Sequence, residues 1–210
     1  MENARLYAKI LLNGVIHVVN VNMKGGSLTI KNIFSMRPGE CKVAEKLIGF
    51  DWIKKDCHVT FPVKDVGIDL FIVRRAEGER ERVVGLQVKE SRDYKSSKHE
   101  LRPYHSWYTV RVSDFKKSFT RRPDFYVFIY YKEAPSGKRM MFKEIYVVIL
   151  YSDLEQKVKT KKGRRAGYDF YFSYDEQSKK VEEWRDAPPI EDYTRYCDGW
   201  DFIKNALGIP

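Results

Sequence analysis

Residues 67–91 read GIDLFIVRRAEGERERVVGLQVKES, two apolar runs joined by a charged turn. If the turn is centred at Gly78, residues equally distant from it face each other in an antiparallel hairpin. The apolar pairs on one face are then Ile68–Val88, Leu70–Leu86 and Ile72–Val84. A shift of one residue would mix polar and apolar side chains on that face, so the pattern supports this register. The stretch therefore predicts a hairpin with one face in a core.

The other face of the hairpin carries polar side chains at one end. Asp69 falls opposite Gln87, and Lys89 and Ser91 project from the same face. Polar groups are costly to bury without partners. Two oxygens about 5 Å apart suit Mg²⁺, and a nearby lysine can orient a water or offset phosphate charge. The pattern indicates a metal-dependent phosphodiester site, and the alternative is a structural ion pair between Asp69 and Lys89 on a solvent-facing sheet.

The composition limits the class of protein. The chain has 210 residues with a formal net charge of +10, 14% aromatic and 32% charged residues. Its length allows one domain with a sizeable core, and positive charge favours polyanions, nucleic acid first. No apolar run reaches the roughly 20 residues that span a bilayer, and the N-terminus lacks a signal-peptide pattern. We expect a cytoplasmic protein that does not bind membranes. The many charged residues and few glutamines lean toward a thermophilic source.

The sequence contains no motif for several other common kinds of metal or catalytic site. The three cysteines are far apart, and neither a CxxC nor an HExxH motif occurs, so no structural zinc site or disulfide framework is predicted. P-loop, Rossmann, hydrolase and kinase signatures are also missing from the sequence, so those enzyme classes gain no support.

The order of predicted elements indicates an α/β (α+β) fold with a central mixed sheet. Residues 1–35 are predicted to be an N-terminal β-hairpin element. Residues 36–155 form the core, and residues 156–210 hold a basic loop, a terminal hairpin and a C-terminal helix. We predict a helix near 39–54, strands near 57–62, 67–74 and 82–89, and a loop over 90–106. After the loop we predict a short helix capped by Ser113 and two long strands up to residue 154. A last helix is predicted to be capped by Asp198 or Asp201.

The GIDL and QVK segments resemble the PD-(D/E)XK nuclease superfamily in its D…QxK variant, over roughly residues 38–150. The resemblance implies a restriction-endonuclease-like core and a Mg²⁺ cofactor, with Mn²⁺ as a substitute. It implies that Asp69 is a metal ligand, Gln87 is the second motif position and a further ligand, and Lys89 is the catalytic lysine. Many members add an acidic residue from the first helix, and Glu45 matches that position as a further catalytic residue and metal ligand.

Gln87 departs from the commoner acidic residue of this superfamily. A neutral amide binds Mg²⁺ more weakly than a carboxylate, so either Glu45 and Asp69 supply the charge or catalysis is impaired. Glu45 has the alternative of a solvent-exposed helix glutamate paired with a neighbouring lysine. Asp65 matches an acidic residue often seen before the motif, and its role stays open.

Basic side chains interleaved with aromatic ones follow the motif. The residues predicted to bind nucleic acid are Arg92, Lys95, Lys98, Arg102, Lys116, Lys117, Arg121, Arg122, Lys161, Lys162, Arg164 and Arg165. Such side chains neutralise phosphates without reading sequence, and no sequence-reading motif occurs.

These patterns predict a Mg²⁺-dependent endodeoxyribonuclease that contacts DNA through its phosphates. A homodimer is expected only by analogy with other nucleases of this fold. Two alternatives stay open: a catalytically impaired DNA-binding module of the same fold, and a protein-interaction domain with a basic surface.

Overall fold

The computed structural model describes residues 5–12, 15–22, 36–62, 67–95, 104–116, 122–136, 139–161, 167–185 and 190–210. Its helices are α1 (Pro38–Ile48), α2 (Asp51–Asp56), α3 (Tyr151–Thr160) and α4 (Trp200–Ala206). Its strands are β1 (Arg5–Leu12), β2 (Val15–Asn22), β3 (Cys57–Thr60), β4 (Leu70–Arg74), β5 (Arg82–Arg92), β6 (Tyr94–Lys95), β7 (Tyr104–His105), β8 (Tyr108–Arg111), β9 (Phe125–Ser136), β10 (Arg139–Leu150), β11 (Gly167–Phe170), β12 (Phe172–Tyr174), β13 (Val181–Glu183) and β14 (Glu191–Asp192). Short 3₁₀ helices span Val112–Lys116 and Thr194–Tyr196.

A five-stranded mixed sheet forms the centre, in the order β10-β9-β5-β4-β3. Neighbouring strands are antiparallel except for β5 and β9, which are parallel. Leu70 pairs with Leu86, and Ile72 pairs with Val84, so the predicted register is confirmed. The expectation of a mixed α/β fold with a central mixed sheet is also confirmed.

Each face of the sheet is covered by a separate apolar cluster. The alternation of side chains sends Leu86 and Val88 of β5 to one face, where they pack with buried residues of α1, α2 and α4. The opposite face carries Tyr126 and Phe128 of β9, which pack with buried residues of β8, α3, β11 and β12. Gln87 and Lys89 of β5 share this second face, because their β9 partners in the parallel register are Tyr126 and Phe128.

Four smaller sheets complete the described chain. β1 and β2 form an antiparallel pair, as do β6 with β7 and β8 with β11, and β12, β13 and β14 form a three-stranded sheet. The β12–β13 pairing realises the predicted terminal hairpin. Residues 1–4, 13–14 and 23–35 of the predicted N-terminal element lie outside the described residues. Among the helices described, none combines the length and apolar character needed to cross a bilayer.

β5 has different neighbours along its length. Residues Arg82 to Leu86 pair with β4, whereas Leu86 to Arg92 pair with β9. β4 begins at Leu70, so its chain separates from β5 beyond Leu86. The C-terminal half of β5 therefore keeps its pairing with β9 alone among the described strands of the central sheet, and the polar residues Gln87 and Lys89 lie in this half.

Several predicted elements differ from the structure. The helix near 39–54 is divided into α1 and α2, because Phe50 adopts an extended conformation between them. The second long strand ends at Leu150, and residues predicted as strand and basic loop form α3. This helix buries Tyr151, Leu154 and Val158, whose helical spacing outweighs the basic residues between them.

The predicted loop and the predicted C-terminal cap also need correction. β5 continues to Arg92, and β6 and β7 are short strands within the region predicted as loop. α4 begins at Trp200 with Gly199 at its N-cap, and no side chain caps it. Asp198 instead accepts a hydrogen bond from the Trp200 indole N–H at 3.2 Å.

Replacing Leu86 by alanine tests the packing of the hairpin. Leu86 is fully buried in the cluster shared with the helices, so we expect a loss of about 2–5 kcal/mol in the free energy of unfolding. Urea denaturation measures this change. Val83→Ala is the matched control on the same strand. Its side chain is exposed, and its loss should stay below about 1 kcal/mol. Equal losses for the two variants would contradict the described packing.

Candidate active site

Asp69 lies where β4 separates from β5. Its backbone N–H donates to the Leu86 carbonyl at 2.8 Å, and its carboxylate Oδ2 accepts from the Val88 backbone N–H at 2.8 Å. The same oxygen accepts a hydrogen bond from the Gln87 side-chain amide. The Asp69 carboxylate thus replaces the strand partner that β4 no longer offers to Val88.

Gln87 is buried beside Asp69, and its Nε2 donates to the Asp69 carboxylate. This contact braces the Asp69 carboxylate. The hydrogen bond uses only the N–H₂ end of the amide, so the amide oxygen remains the end that can bind a cation.

Lys89 lies two residues further along β5, on the same face and half-buried. Burial is the main cause that lowers the pKa of its ammonium below the usual value for lysine. Asp114 and Asp69 oppose this effect by favouring the charged form, whereas Arg37 and Arg111 add to it. The ammonium of Lys89 therefore has carboxylates and guanidinium groups in its electrostatic surroundings.

Asp114 and Tyr126 join this cluster, and sequence reasoning missed both. Asp114 is buried on the Val112–Lys116 3₁₀ helix, and its charge affects both Lys89 and Tyr126. Burial, followed by the charges of Asp114 and Asp69, raises the pKa of the Tyr126 phenol. Its hydroxyl is buried without a hydrogen-bond partner in the part of the chain described. The sequence carries no signal for Asp114, because only the tertiary fold brings this 3₁₀ helix to β5.

Ser91 extends the same face of β5 and holds the segment after β7. Its Oγ accepts a hydrogen bond from the Trp107 backbone N–H at 2.9 Å. Glu90, between Lys89 and Ser91, contacts the opposite side. Its carboxylate accepts from the Tyr131 hydroxyl at 3.5 Å and lies against Gly39 of α1, where an added Cβ would meet it at 2.9 Å.

The prediction for Glu45 needs correction. Its side chain is 74% exposed and pairs with Lys42 at 3.4 Å, which is the alternative that the sequence left open. Lys42 also pairs with Glu144 at 3.3 Å. α1 turns Glu40, not Glu45, toward the protein interior. Glu45 thus lies on the solvent side of α1, apart from the buried cluster around Asp69.

Of the residues predicted to bind nucleic acid, three are exposed at the described surface and Arg122 is half-buried. Arg92 and Lys95 are exposed, and the Arg92 guanidinium lies 5.7 Å from the centre of the Tyr94 ring. Lys116 is exposed beside a cleft of about 360 Å³ between the 3₁₀ helix and α3. Arg122 lies 4.9 Å from the centre of the Tyr151 ring. The predictions for Lys98, Arg102, Lys117, Arg121, Lys162, Arg164 and Arg165, like that for Asp65, lie outside the described residues.

The prediction for Lys161 also needs correction. Its ammonium forms a salt bridge with Glu183 at 2.6 Å, and the two side chains are only 2% and 3% exposed. Glu183 also accepts hydrogen bonds from the backbone N–H groups of Tyr171 and Arg185. Lys161 therefore joins the end of α3 to β13, and its charge is not presented to a phosphate.

The side-chain oxygens around Asp69 are of the type that a hard cation binds. Asp69 and Asp114 offer carboxylate oxygens, and Gln87 offers an amide oxygen. Among the described residues, no three Asp, Glu, His or Cys side chains converge as a metal-binding group. A Mg²⁺ ion held here would therefore have few protein ligands and would need waters to complete its coordination.

No family model, curated protein or solved structure matches this chain. Functional inference therefore depends on the geometry of its own residues.

Replacing Lys89 by methionine should affect stability in a pH-dependent way. Because the pKa of Lys89 is lower in the folded chain than in the unfolded one, the unfolded chain binds more protons between those two values. Wild-type stability should therefore rise relative to Lys89→Met as the pH increases from 7 to about 10. Urea denaturation at several pH values measures this difference.

Lys54→Met is the control for that experiment, because Lys54 is an exposed lysine paired with Asp51. Its stability difference from the wild type should not move in the same direction. A Lys89→Met difference that is constant over this pH range would contradict the assigned environment of Lys89.

Proposed function

We propose that this protein is a Mg²⁺-dependent cytoplasmic endodeoxyribonuclease with a restriction-endonuclease-like core. The observation that carries the proposal is the grouping of Asp69, just before β4, with Gln87 and Lys89 on one face of β5. Their order and spacing resemble those of the D…QxK motif. Asp114 adds a second carboxylate to this group.

The surroundings of the motif support a hydrolytic function over a solvent-facing ion pair. Asp69 and Gln87 are buried, and Lys89 is half-buried with a lowered pKa. Burying such groups is costly, and perturbed ionisable residues are found preferentially at functional sites. A salt bridge needed only for solubility or surface charge would not require this desolvation.

In the proposed reaction, a water oxygen attacks phosphorus, one phosphorus–oxygen ester bond breaks, and the leaving oxygen takes up a proton. Lys89 orients the attacking water and offsets charge that develops on the phosphate. Val88 N–H and the Gln87 amide fix the Asp69 carboxylate in position. A Mg²⁺ ion held by Asp69, Asp114 and the Gln87 amide oxygen would supply charge neutralisation and a more acidic bound water.

A catalytically impaired DNA-binding module is the second candidate. The absence of three converging acidic or histidine ligands among the described residues favours it, as does the neutral Gln87. Salt-dependent DNA binding without cleavage in Mg²⁺ or Mn²⁺ would support this second function over the first.

Replacing Lys89 or Asp69 by alanine should abolish cleavage and leave DNA binding largely intact. The loss of Lys89 removes the group that orients water, and a reduction of about 10²–10⁴-fold in cleavage rate is expected. The assay uses plasmid, single-stranded and junction DNA with Mg²⁺ or Mn²⁺. Asp114→Asn should also lower the rate, because it removes one of the two carboxylates.

The matched controls are Asp51→Ala and Lys54→Ala, an aspartate and a lysine that form an exposed pair on α2. Both should cleave at the wild-type rate. If the Asp69 and Lys89 variants also cleave at that rate, the site assignment is wrong.

Replacing Arg92 and Lys95 together by alanine should weaken DNA binding through lost phosphate contacts. The plot of log affinity against log salt should become shallower by roughly one unit for each contact removed. Fluorescence anisotropy on duplex DNA at several salt concentrations measures this slope. The double variant Lys54→Ala/Lys55→Ala, on the surface of α2, should keep the wild-type slope. Equal slopes for all three proteins would exclude Arg92 and Lys95 from the DNA contact.

A further inference from the structure

An aromatic patch lies directly beyond the candidate active site, and the proposed reaction does not use it. Its members are Tyr94, His105, Trp107, Tyr171 and Trp184. Trp107 is 44% exposed and Tyr94 is 39% exposed, whereas His105 and Trp184 are buried beneath the patch. Large aromatic side chains at a surface are a costly exposure that commonly marks a binding site.

The rings support one another and leave the indole accessible. Trp107 meets Tyr94 at 6.3 Å and Tyr171 at 5.9 Å between ring centres, both in edge-to-face geometry. Neither neighbour lies flat on the indole. His105 packs at 4.9 Å from both Tyr171 and Trp184, which gives the exposed rings a buried base.

Backbone contacts connect the patch rigidly to the candidate active site. The Trp107 N–H donates to Ser91 of β5, and the neighbouring Ser106 N–H donates to the Phe172 carbonyl of β12 at 2.8 Å. Ser91 is two residues beyond Lys89 on the same face, about 7 Å along the strand. The other side of the patch is fixed by the buried Glu183, which accepts from the N–H groups of Tyr171 and Arg185.

The charges around the patch identify the kind of ligand. The Arg92 guanidinium lies 5.7 Å from the Tyr94 ring centre, and that of Arg185 lies 5.4 Å from the Tyr171 ring centre. Two cations at the rings disfavour a cationic ligand such as a methylated lysine, which would need those ring faces itself. They favour a ligand that combines a flat ring with an adjacent negative charge.

A nucleotide has this combination, because its base stacks on aromatic rings and its phosphate pairs with arginine. Bases within a duplex stack on each other and do not offer their faces. We propose that the patch binds an unpaired nucleobase of a DNA strand whose phosphates lie along Arg92 and Arg185. This inference extends the proposed function, since it makes the substrate a DNA with single-stranded or extruded nucleotides next to the scissile bond.

Trp107→Ala tests this proposal by binding alone, with EDTA present so that no cleavage occurs. Its affinity for a labelled dT oligomer of about 16 nucleotides should fall roughly 5- to 150-fold, the effect of losing one stacked base. Its affinity for a duplex of equal length should stay nearly unchanged. An oligomer with abasic sites should bind the wild type and Trp107→Ala equally, because it has no base to stack.

Phe142→Ala is the matched control, since Phe142 is an exposed aromatic residue on β10. It should bind the dT oligomer like the wild type. Trp107→Phe retains a ring at this position and should recover part of the lost affinity, which separates stacking from damage to the fold. Wild-type affinity of Trp107→Ala for the dT oligomer would overturn the proposal, as would an equal loss on duplex and abasic DNA.

The cleavage assay distinguishes this proposal from the proposed function. Binding of the dT oligomer that depends on Trp107, without any cleavage, supports the patch and counts against the nuclease. Cleavage by the wild type combined with an unaffected Trp107→Ala overturns the patch and leaves the nuclease. Binding of a methylated-lysine peptide by the patch in place of the dT oligomer would also overturn the proposal.

Discussion

The hydrogen bond from the Val88 backbone N–H to the Asp69 carboxylate is the contact on which the candidate site depends. β4 stops pairing with β5 at Leu70, so the backbone of β5 beyond Leu86 needs other acceptors. A buried N–H without a partner would be costly, and a hydrogen bond to a charged acceptor contributes about 1.5–3 kcal/mol. The same carboxylate accepts from Gln87, so one residue satisfies the backbone and organises the polar cluster.

The central sheet can accommodate this buried polar cluster because apolar residues already pack on both of its faces. Apolar residues of β5 such as Leu86 and Val88 pack with the helices on one side. On the other side, Tyr126 of β9 lies among the polar groups and contributes to a second core. The burial of Lys89 and Asp114 does not add to this packing. Features that oppose local stability in an otherwise consistent fold are expected at functional sites. The burial of these two charged residues therefore supports the assignment of a functional site.

Basic residues that look equivalent in the sequence have different surroundings in the structure. Arg92 is exposed at an aromatic ring, whereas Lys161 is buried against Glu183. Lys161 thereby supports the carboxylate that holds Tyr171 and Arg185 by their backbone N–H groups. A residue assigned from charge alone to nucleic acid thus contributes to the scaffold beneath the aromatic patch.

The sequence by itself determined the hairpin, its register and the shared face of Asp69, Gln87 and Lys89. These follow from the two-residue alternation of strands and from a turn that sets which positions face each other, and both are local properties of the chain. The tertiary structure decided which other residues join them. Asp114 reaches the site, and Glu45 faces solvent, because the packing of the 3₁₀ helix and the rotation of α1 depend on contacts between residues far apart in the sequence.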